Sequence, residues 1–280
     1  MVTILYALVF IFGLSIGSFV NAFEYRIREN KSISGRSFCP HCKHQLAWYD
    51  LFPLLSFILL RGKCRYCGKK ISWQYPVVEF LTGVAFVGVF AKYFWIPAFA
   101  GMTFEGTGAT LKLVVSLLLT FFIVFIAVLV GLHDYKTTYI LSLWVYAGVL
   151  AAVIRIAISY QGVFAWQPIV SFATPFALAA FIPGLFFYSL YFFSKGRWMG
   201  EGEYELAILM GLALGFPLIV PAYYFAFIVG SVLGLILVYG SKQKQMNSEI
   251  PFGPFLMGGL AFALIFGQQI ADFYARIILG

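Results

Sequence analysis

Apolar residues run in long unbroken stretches along this chain, at about 3–22, 76–96, 112–132, 139–160, 169–193, 205–218, 220–240 and 253–274. None alternates as a half-buried strand would, and most are apolar all round a helical circumference. Crossing the hydrocarbon of a bilayer takes about 20 helical residues, a length that all but the sixth stretch reach. Pro217 and Pro221 set the short sixth stretch apart from the seventh, which predicts a tight pair of helices. The pattern predicts an all-α polytopic membrane protein of about eight transmembrane helices. One segment, 23–75, breaks the rhythm and reads as a small polar domain. The expected organisation is a first transmembrane helix at 1–22, that domain at 23–75 and a membrane domain at 76–280. No internal repeat or low-complexity segment stands out.

Composition agrees: 62% of residues are hydrophobic, 20% aromatic and only 11% charged, with a mean hydropathy of +0.91. An ordinary soluble domain has no use for so much apolar surface. The net charge of +8 is unevenly spread, with ten of the 19 Lys and Arg falling between Arg26 and Lys70. No nucleic-acid-binding motif accompanies these bases, so they read as a cytoplasmic loop held near anionic lipid. Lys136, Lys195, Arg197, Lys242 and Lys244 fall on the same side if the spans alternate, leaving 97–111, 161–168 and 218–221 outside without basic residues. The positive-inside rule then puts the N-terminus outside and 23–75 in the cytoplasm. The first stretch lacks a preceding basic segment and reads as a retained helix, not a cleaved signal.

Within 23–75 lie Cys39-Pro40-His41-Cys42 and Cys64-Arg65-Tyr66-Cys67, with 21 residues between the pairs. Two such knuckles present four thiolates to one tetrahedral ion, and the spacing predicts a structural Zn2+ site with no open coordination position. Lys43, Lys63, Arg65, Lys69 and Lys70 offset its negative charge. A segment this polar has too little core to fold unaided, so metal would supply folding energy. Disulfides or free thiols are the alternatives, and a reducing cytoplasm disfavours the first. His41 and His44 read as solvated loop histidines.

Isolated acids are the other anomaly. Gly200-Glu201-Gly202-Glu203-Tyr204-Glu205 carries three carboxylates between apolar stretches, and Asp134 ends another. Ionisable groups beside lipid are functional candidates. The expected topology puts Asp134 and Glu203 on one side, where they can meet as a carboxylate pair. Ordinary helix-end charges are the plain alternative.

Several motifs, in order, resemble the bacterial type IV prepilin peptidases. They are Gly17-Ser18-Phe19-Val20-Asn21 with Arg26, the two cysteine pairs, the run at 48–56, Leu60-Arg61-Gly62-Lys63-Cys64, the run at 75–83 and Ile250-Pro251-Phe252-Gly253-Pro254-Phe255. The resemblance implies an integral aspartyl protease of the GxGD type in the bacterial inner membrane. Such enzymes remove basic leaders from prepilin and pseudopilin substrates at the cytoplasmic face. Many then N-methylate the new N-terminus with S-adenosylmethionine. Asp134 matches the first catalytic aspartate, and Glu203 stands where the second is expected. Gly200, Gly202 and Lys136 belong to the active-site loops. Asn21, Arg26 and Glu79 are candidates to support methylation.

The chain departs from that pattern in three places. Glu203 replaces aspartate, Glu205 stands where lysine is common, and 135–141 lacks the usual proline–aspartate ending. One extra methylene displaces a carboxyl by about 1 Å, a shift that can cost on the order of a hundredfold in rate. A catalytically impaired enzyme is therefore expected, and an engineered substitution, a natural variant with compensating geometry and a pseudoenzyme all stay open. A non-enzymatic scaffold of a pilus or secretion assembly is the rival reading. Gly17 and Ser18 read as close helix-packing positions. Glu79 is expected to meet a nearby Arg or Lys, Arg155 to snorkel outward, and Glu201 or Glu205 to attract a basic leader.

Overall fold

The computed structural model describes residues 2–99, 107–160, 166–240 and 251–279. Lys242, Lys244 and Ile250 lie outside the described residues, as do positions 100–106 and 161–165 of the expected outer loops. The chain forms two compact units, Met1–Ala91 and Lys92–Gly280. They divide within a helix, whereas the sequence boundary at 75/76 follows the change from polar to apolar residues.

In the first unit, α1 (Val2–Arg28) packs on the start of α3 (Gln74–Phe99). Small residues set the approach. A Cβ added to Gly13 would lie 2.8 Å from the Gly83 Cα, and one added to Gly17 would lie 2.7 Å from the Glu79 Cα. Larger residues there would force the backbones apart. Ring contacts of Tyr6 with Phe90 and of Phe10 with Phe80 extend the seam. Between these helices run the two cysteine knuckles, a single 3-10 turn (Trp48–Leu51) and the five-residue α2 (Leu55–Leu59). Leu54, between the last two, has φ of +58° and ψ of −48° and centres a γ-turn that the Leu55 N–H closes on the Pro53 carbonyl at 2.6 Å, a rare and strained conformation.

The second unit holds α4 (Thr107–Thr137), α5 (Ser142–Ser159), α6 (Trp166–Ser194), α7 (Gly202–Leu214), α8 (Ile219–Gly240) and α9 (Gly253–Leu279). Among the described residues seven helices are long and apolar enough to cross a membrane, so the chain is a helical multi-pass membrane protein. The sixth apolar stretch becomes α7. Its 13 residues span only about 20 Å at 1.5 Å per residue, short of the hydrocarbon thickness. The expected α7–α8 pairing is not the main contact. α7 packs chiefly on α6, and also on α5 and α9. A Cβ on Gly211 would collide with the α6 backbone at Ala179, so this glycine is what lets the two helices touch. Leu206, Ala207, Leu209 and Met210 are fully buried, and beyond Gly202 and Glu203 only the stripe of Tyr204, Ile208 and Leu212 on α7 is half-buried. Arg155, expected to snorkel outward, instead donates to the Ala213 carbonyl. Its guanidinium serves the C-terminal turn of α7, where exposed carbonyls favour a cation.

Candidate metal centre and carboxylate site

The two knuckles are copies of one another, 25 positions apart, which the sequence reading missed. Phe38 bridges Gln45, and Lys63 bridges Lys70. The Cys39 N–H donates to the His44 carbonyl at 2.9 Å and the Cys64 N–H to the Lys69 carbonyl at 2.8 Å. The fifth position of each knuckle donates back to the first cysteine's carbonyl: Lys43 to Cys39 and Gly68 to Cys64, both at 2.9 Å. That turn needs positive φ, and Lys43 (+60°) and Gly68 (+68°) both adopt it. Only the second knuckle uses the residue that does so freely. Outside the four cysteines and these backbone bonds the copies share little, which hides the repeat from inspection of residue types.

All four sulfurs lie within 4.8 Å of one another, and Cys39 Sγ is 4.0 Å from Cys67 Sγ. A tetrahedral ion with metal–sulfur bonds of about 2.3 Å holds its sulfurs about 3.8 Å apart. The cluster therefore fits one metal ion, and none of its cysteines is disulfide-bonded. For Cys67, the Lys69 backbone N–H favours the thiolate, but desolvation and the sulfurs of Cys64, Cys42 and Cys39 oppose it and push the thiol up to about 11. Asp50 braces the second knuckle. Its carboxylate accepts from Arg65 at 2.8 Å, Tyr66 at 3.1 Å and the Ala47 N–H at 3.3 Å. Desolvation works against that carboxylate, yet these donors hold it below its ordinary range. His44 is exposed but not free-standing, since its ring lies 3.7 Å from that of Tyr66.

The three candidates for methylation support all bond within the fold. Asn21 is buried, donates to the Gly17 and Tyr75 carbonyls, and accepts from Gln74. Arg26 donates to the Ile33 carbonyl and, at 2.7 Å, to that of Gly35. Glu79 makes no ion pair among the described residues. Its carboxylate accepts the Leu54 N–H at 2.8 Å and lies near the Ser18 hydroxyl.

In the second unit Asp134 and Glu203 lie at helix ends close to the start of α9. Asp134 is buried in the last turn of α4, Glu203 is half-buried in the first turn of α7, and α9 begins beside them at Gly253. The Gly253 N–H donates to Asp134 Oδ2 at 2.9 Å. A Cβ on Gly253 would collide with that same oxygen, so the bond requires glycine. Gly202 is equally constrained, since its Cβ would lie 2.5 Å from Ile140 of the α4–α5 turn. The Asp134 charge acts on Glu203, whose carboxylate lies beside its own backbone N–H and that of Gly200. Glu203 Oε2 lies 2.9 Å from where a Gly200 Cβ would be. The longer side chain thus curls back over the N-terminus of its own helix, a favourable place for an anion.

Two expected members lie elsewhere. Lys136 is exposed on the last turn of α4, where it suits the helix C-terminus. Glu205 points away to α5, where it is buried and accepts the Tyr146 hydroxyl at 2.5 Å. That burial removes it as an attractor for a basic leader; Glu201 remains exposed. Sequence reasoning quoted the motif at 250–255 but gave Gly253 no task, and nothing in the sequence singled out Tyr146.

Residues 11–93 match a family model described as the bacterial peptidase A24 N-terminal domain. A prepilin leader peptidase/N-methyltransferase of Bacillus subtilis (strain 168) is 26% identical over 283 residues, covering 98% of this chain and 99% of that protein. One of Burkholderia pseudomallei (strain 1026b) is 30% identical over 240 residues, covering 83% and 67%. A third, of Myxococcus xanthus (strain DK1622), is 47% identical over 87 residues, covering 31% and 26%. No solved structure matches.

Proposed function

Because this chain belongs to the family of bacterial prepilin leader peptidase/N-methyltransferases, we propose that it removes leader peptides from prepilins or pseudopilins, with Asp134 and Glu203 as its hydrolytic pair. One observation carries the reading. Three helices far apart in sequence carry Asp134, Glu203 and the Gly253 N–H, with Gly253 bonded to Asp134 and the Asp134 charge acting on Glu203. Two carboxyls sharing one proton supply a base and an acid together. The ionised one takes a proton from the attacking water. The protonated one gives its proton to the scissile carbonyl oxygen, producing a neutral tetrahedral diol. Proton return to the amide nitrogen then releases the leader with a new carboxyl end. The pair titrates as a unit, so neither residue has a fixed role. Gly253 holds the Asp134 carboxylate, Gly200 leaves room for the Glu203 carboxylate, and Gly202 leaves room for Ile140 of the α4–α5 turn.

Glu203 sets the level of activity. Curled over its own helix end, its carboxylate must swing outward to meet substrate, so a weakened enzyme is expected. That geometry also favours a second reading, a non-hydrolytic scaffold that binds prepilins. The proposed setting is the inner membrane with the N-terminus outside. The carboxylates and the 23–75 module would then face the cytoplasm and an incoming basic leader. Zinc is the proposed ion of the four-cysteine cluster, whose complete thiolate set makes it structural. S-adenosylmethionine would supply the methyl group for the new N-terminus. Asn21, Arg26 and Glu79 each bond within the fold, which suits them to support a methylation site by holding its framework.

The test is to incubate the purified full chain with a prepilin in detergent or bilayer and follow leader loss by mass spectrometry, with Asp134→Ala beside it. Slow leader loss that Asp134→Ala abolishes supports the proposal. Prepilin binding without cleavage, even with aspartate at position 203, supports the scaffold.

A further inference from the structure

The 23–75 segment is not polar throughout. The run 51–60 reads Leu-Phe-Pro-Leu-Leu-Ser-Phe-Ile-Leu-Leu and forms α2 with its approach turn. Its large side chains do not build a core for the cysteine module. Leu55, Ile58 and Leu59, at i, i+3 and i+4 on one helical face, are exposed, the last two at 68% and 71%. Trp48 and Trp73 on either side are 70% and 72% exposed.

Two contacts fix where this face lies. The Leu54 N–H bonds to the Glu79 carboxylate, and the Phe57 ring packs on that of Trp73 at 5.0 Å. Glu79 is the sixth residue of α3, whose spanning part begins at Gln74. At 1.5 Å per residue it lies about 7 Å beyond the helix start. These contacts therefore tie α2 alongside the membrane-entry turns of α3, at the depth where headgroups give way to acyl chains. The flanking side chains suit that depth. Tryptophans favour the interface, and Arg61 and Lys63 follow α2 directly and are exposed, placed to reach phosphate groups.

We infer that α2 and its approach turn form an interfacial anchor, lying in the plane of the bilayer with Leu55, Ile58 and Leu59 among the upper acyl chains. The anchor seats the four-cysteine module on the membrane surface. Its occupant is the lipid of the bilayer that α1 and α3 cross. A short apolar face flanked by bases is the usual form of a monotopic element, and five residues are far too few to span.

The experiment reconstitutes the full chain in vesicles of phosphatidylethanolamine and phosphatidylglycerol containing a phospholipid with an acyl-chain diazirine. Lipid adducts after illumination, and hydroxyl-radical adducts in parallel, are mapped by peptide mass spectrometry. The expected result is lipid labelling at 55–59 matching that of Leu8 and Ile11 on α1, with little radical labelling. Predominant radical labelling would put the face in water and overturn the inference. Protection from both reagents would mean that protein covers it, with the same consequence. An Ile58→Asp/Leu59→Asp variant should lose the lipid adducts at 55–59 while keeping those on α1 and the metal content of the cysteine cluster. Unchanged adducts in that variant also contradict the inference, and if it fails to insert, the two-reagent map of the unmodified chain decides.

Discussion

Three side chains show how much here depends on single atoms. Gly253 donates to Asp134 Oδ2 and has no room for a methyl group beside it. Gly253→Ala should push the carboxylate off its donor and cut leader removal by about a hundredfold, while thermal unfolding of the purified protein changes little. Steady-state kinetics beside a melting curve checks this; a loss of both together would make Gly253 structural instead. Lys43 is a smaller case. It holds φ of +60° at the turn where its counterpart is Gly68, so Lys43→Gly should stabilise the metal-loaded module by up to about 1 kcal/mol, seen as slower metal loss to a chelator. Asp134, Glu203 and the four cysteines could all be picked out of the sequence, because charge beside lipid and paired thiols are rare enough to notice. Gly253 and Tyr146 could not be placed, because their importance is a matter of partners more than fifty positions away. Glu205 shows the opposite failure. Its type and position promised a solvent-facing acid, and burial with a bond from the Tyr146 hydroxyl decided otherwise.

At the level of elements, hydrophobic runs located the membrane helices to within a few residues, since lipid imposes a length and a composition on every span. What the runs could not convey is partnership. Pro217 and Pro221 implied that α7 pairs with α8, yet Gly211 lets α7 close on α6. As a helix too short to span and mostly buried, α7 presents its N-terminal turn, with Glu203, to Asp134. Arg155 serves the other end. Arg155→Met keeps the apolar stem but removes the charge, and should lower stability by about 1–2 kcal/mol. The check is thermal or denaturant unfolding in detergent, with leader removal falling alongside as α7 loosens. The cysteine knuckles are the second case. Their repeat is carried by backbone bonds, so residue types concealed it. Stripping the metal with a strong chelator should unfold 36–71 while leaving the second unit folded, which limited proteolysis with peptide mapping would reveal as cuts confined to the module. Cuts spread over both units would contradict a metal that supports only its own module.

At the scale of the whole molecule, the chain divides its labour. One unit carries a four-cysteine module beside a two-helix membrane seam, and the other brings two carboxyls and a backbone N–H from three helices to one end of a bundle. Fold class followed from the sequence because the bilayer restricts the possible architectures so severely. Catalytic competence did not follow, because it turns on about 1 Å in the position of one carboxyl. The central claim is that Asp134 and Glu203 form one hydrolytic pair and that the extra methylene at position 203 limits it. The most direct measurement compares leader removal from one prepilin by the unmodified chain and by its Glu203→Asp, Glu203→Gln and Asp134→Asn forms, at matched folding and metal content. The predicted result is a rise of up to about a hundredfold for Glu203→Asp, with both amide forms inactive. Equal rates for glutamate, aspartate and glutamine at position 203 would contradict it.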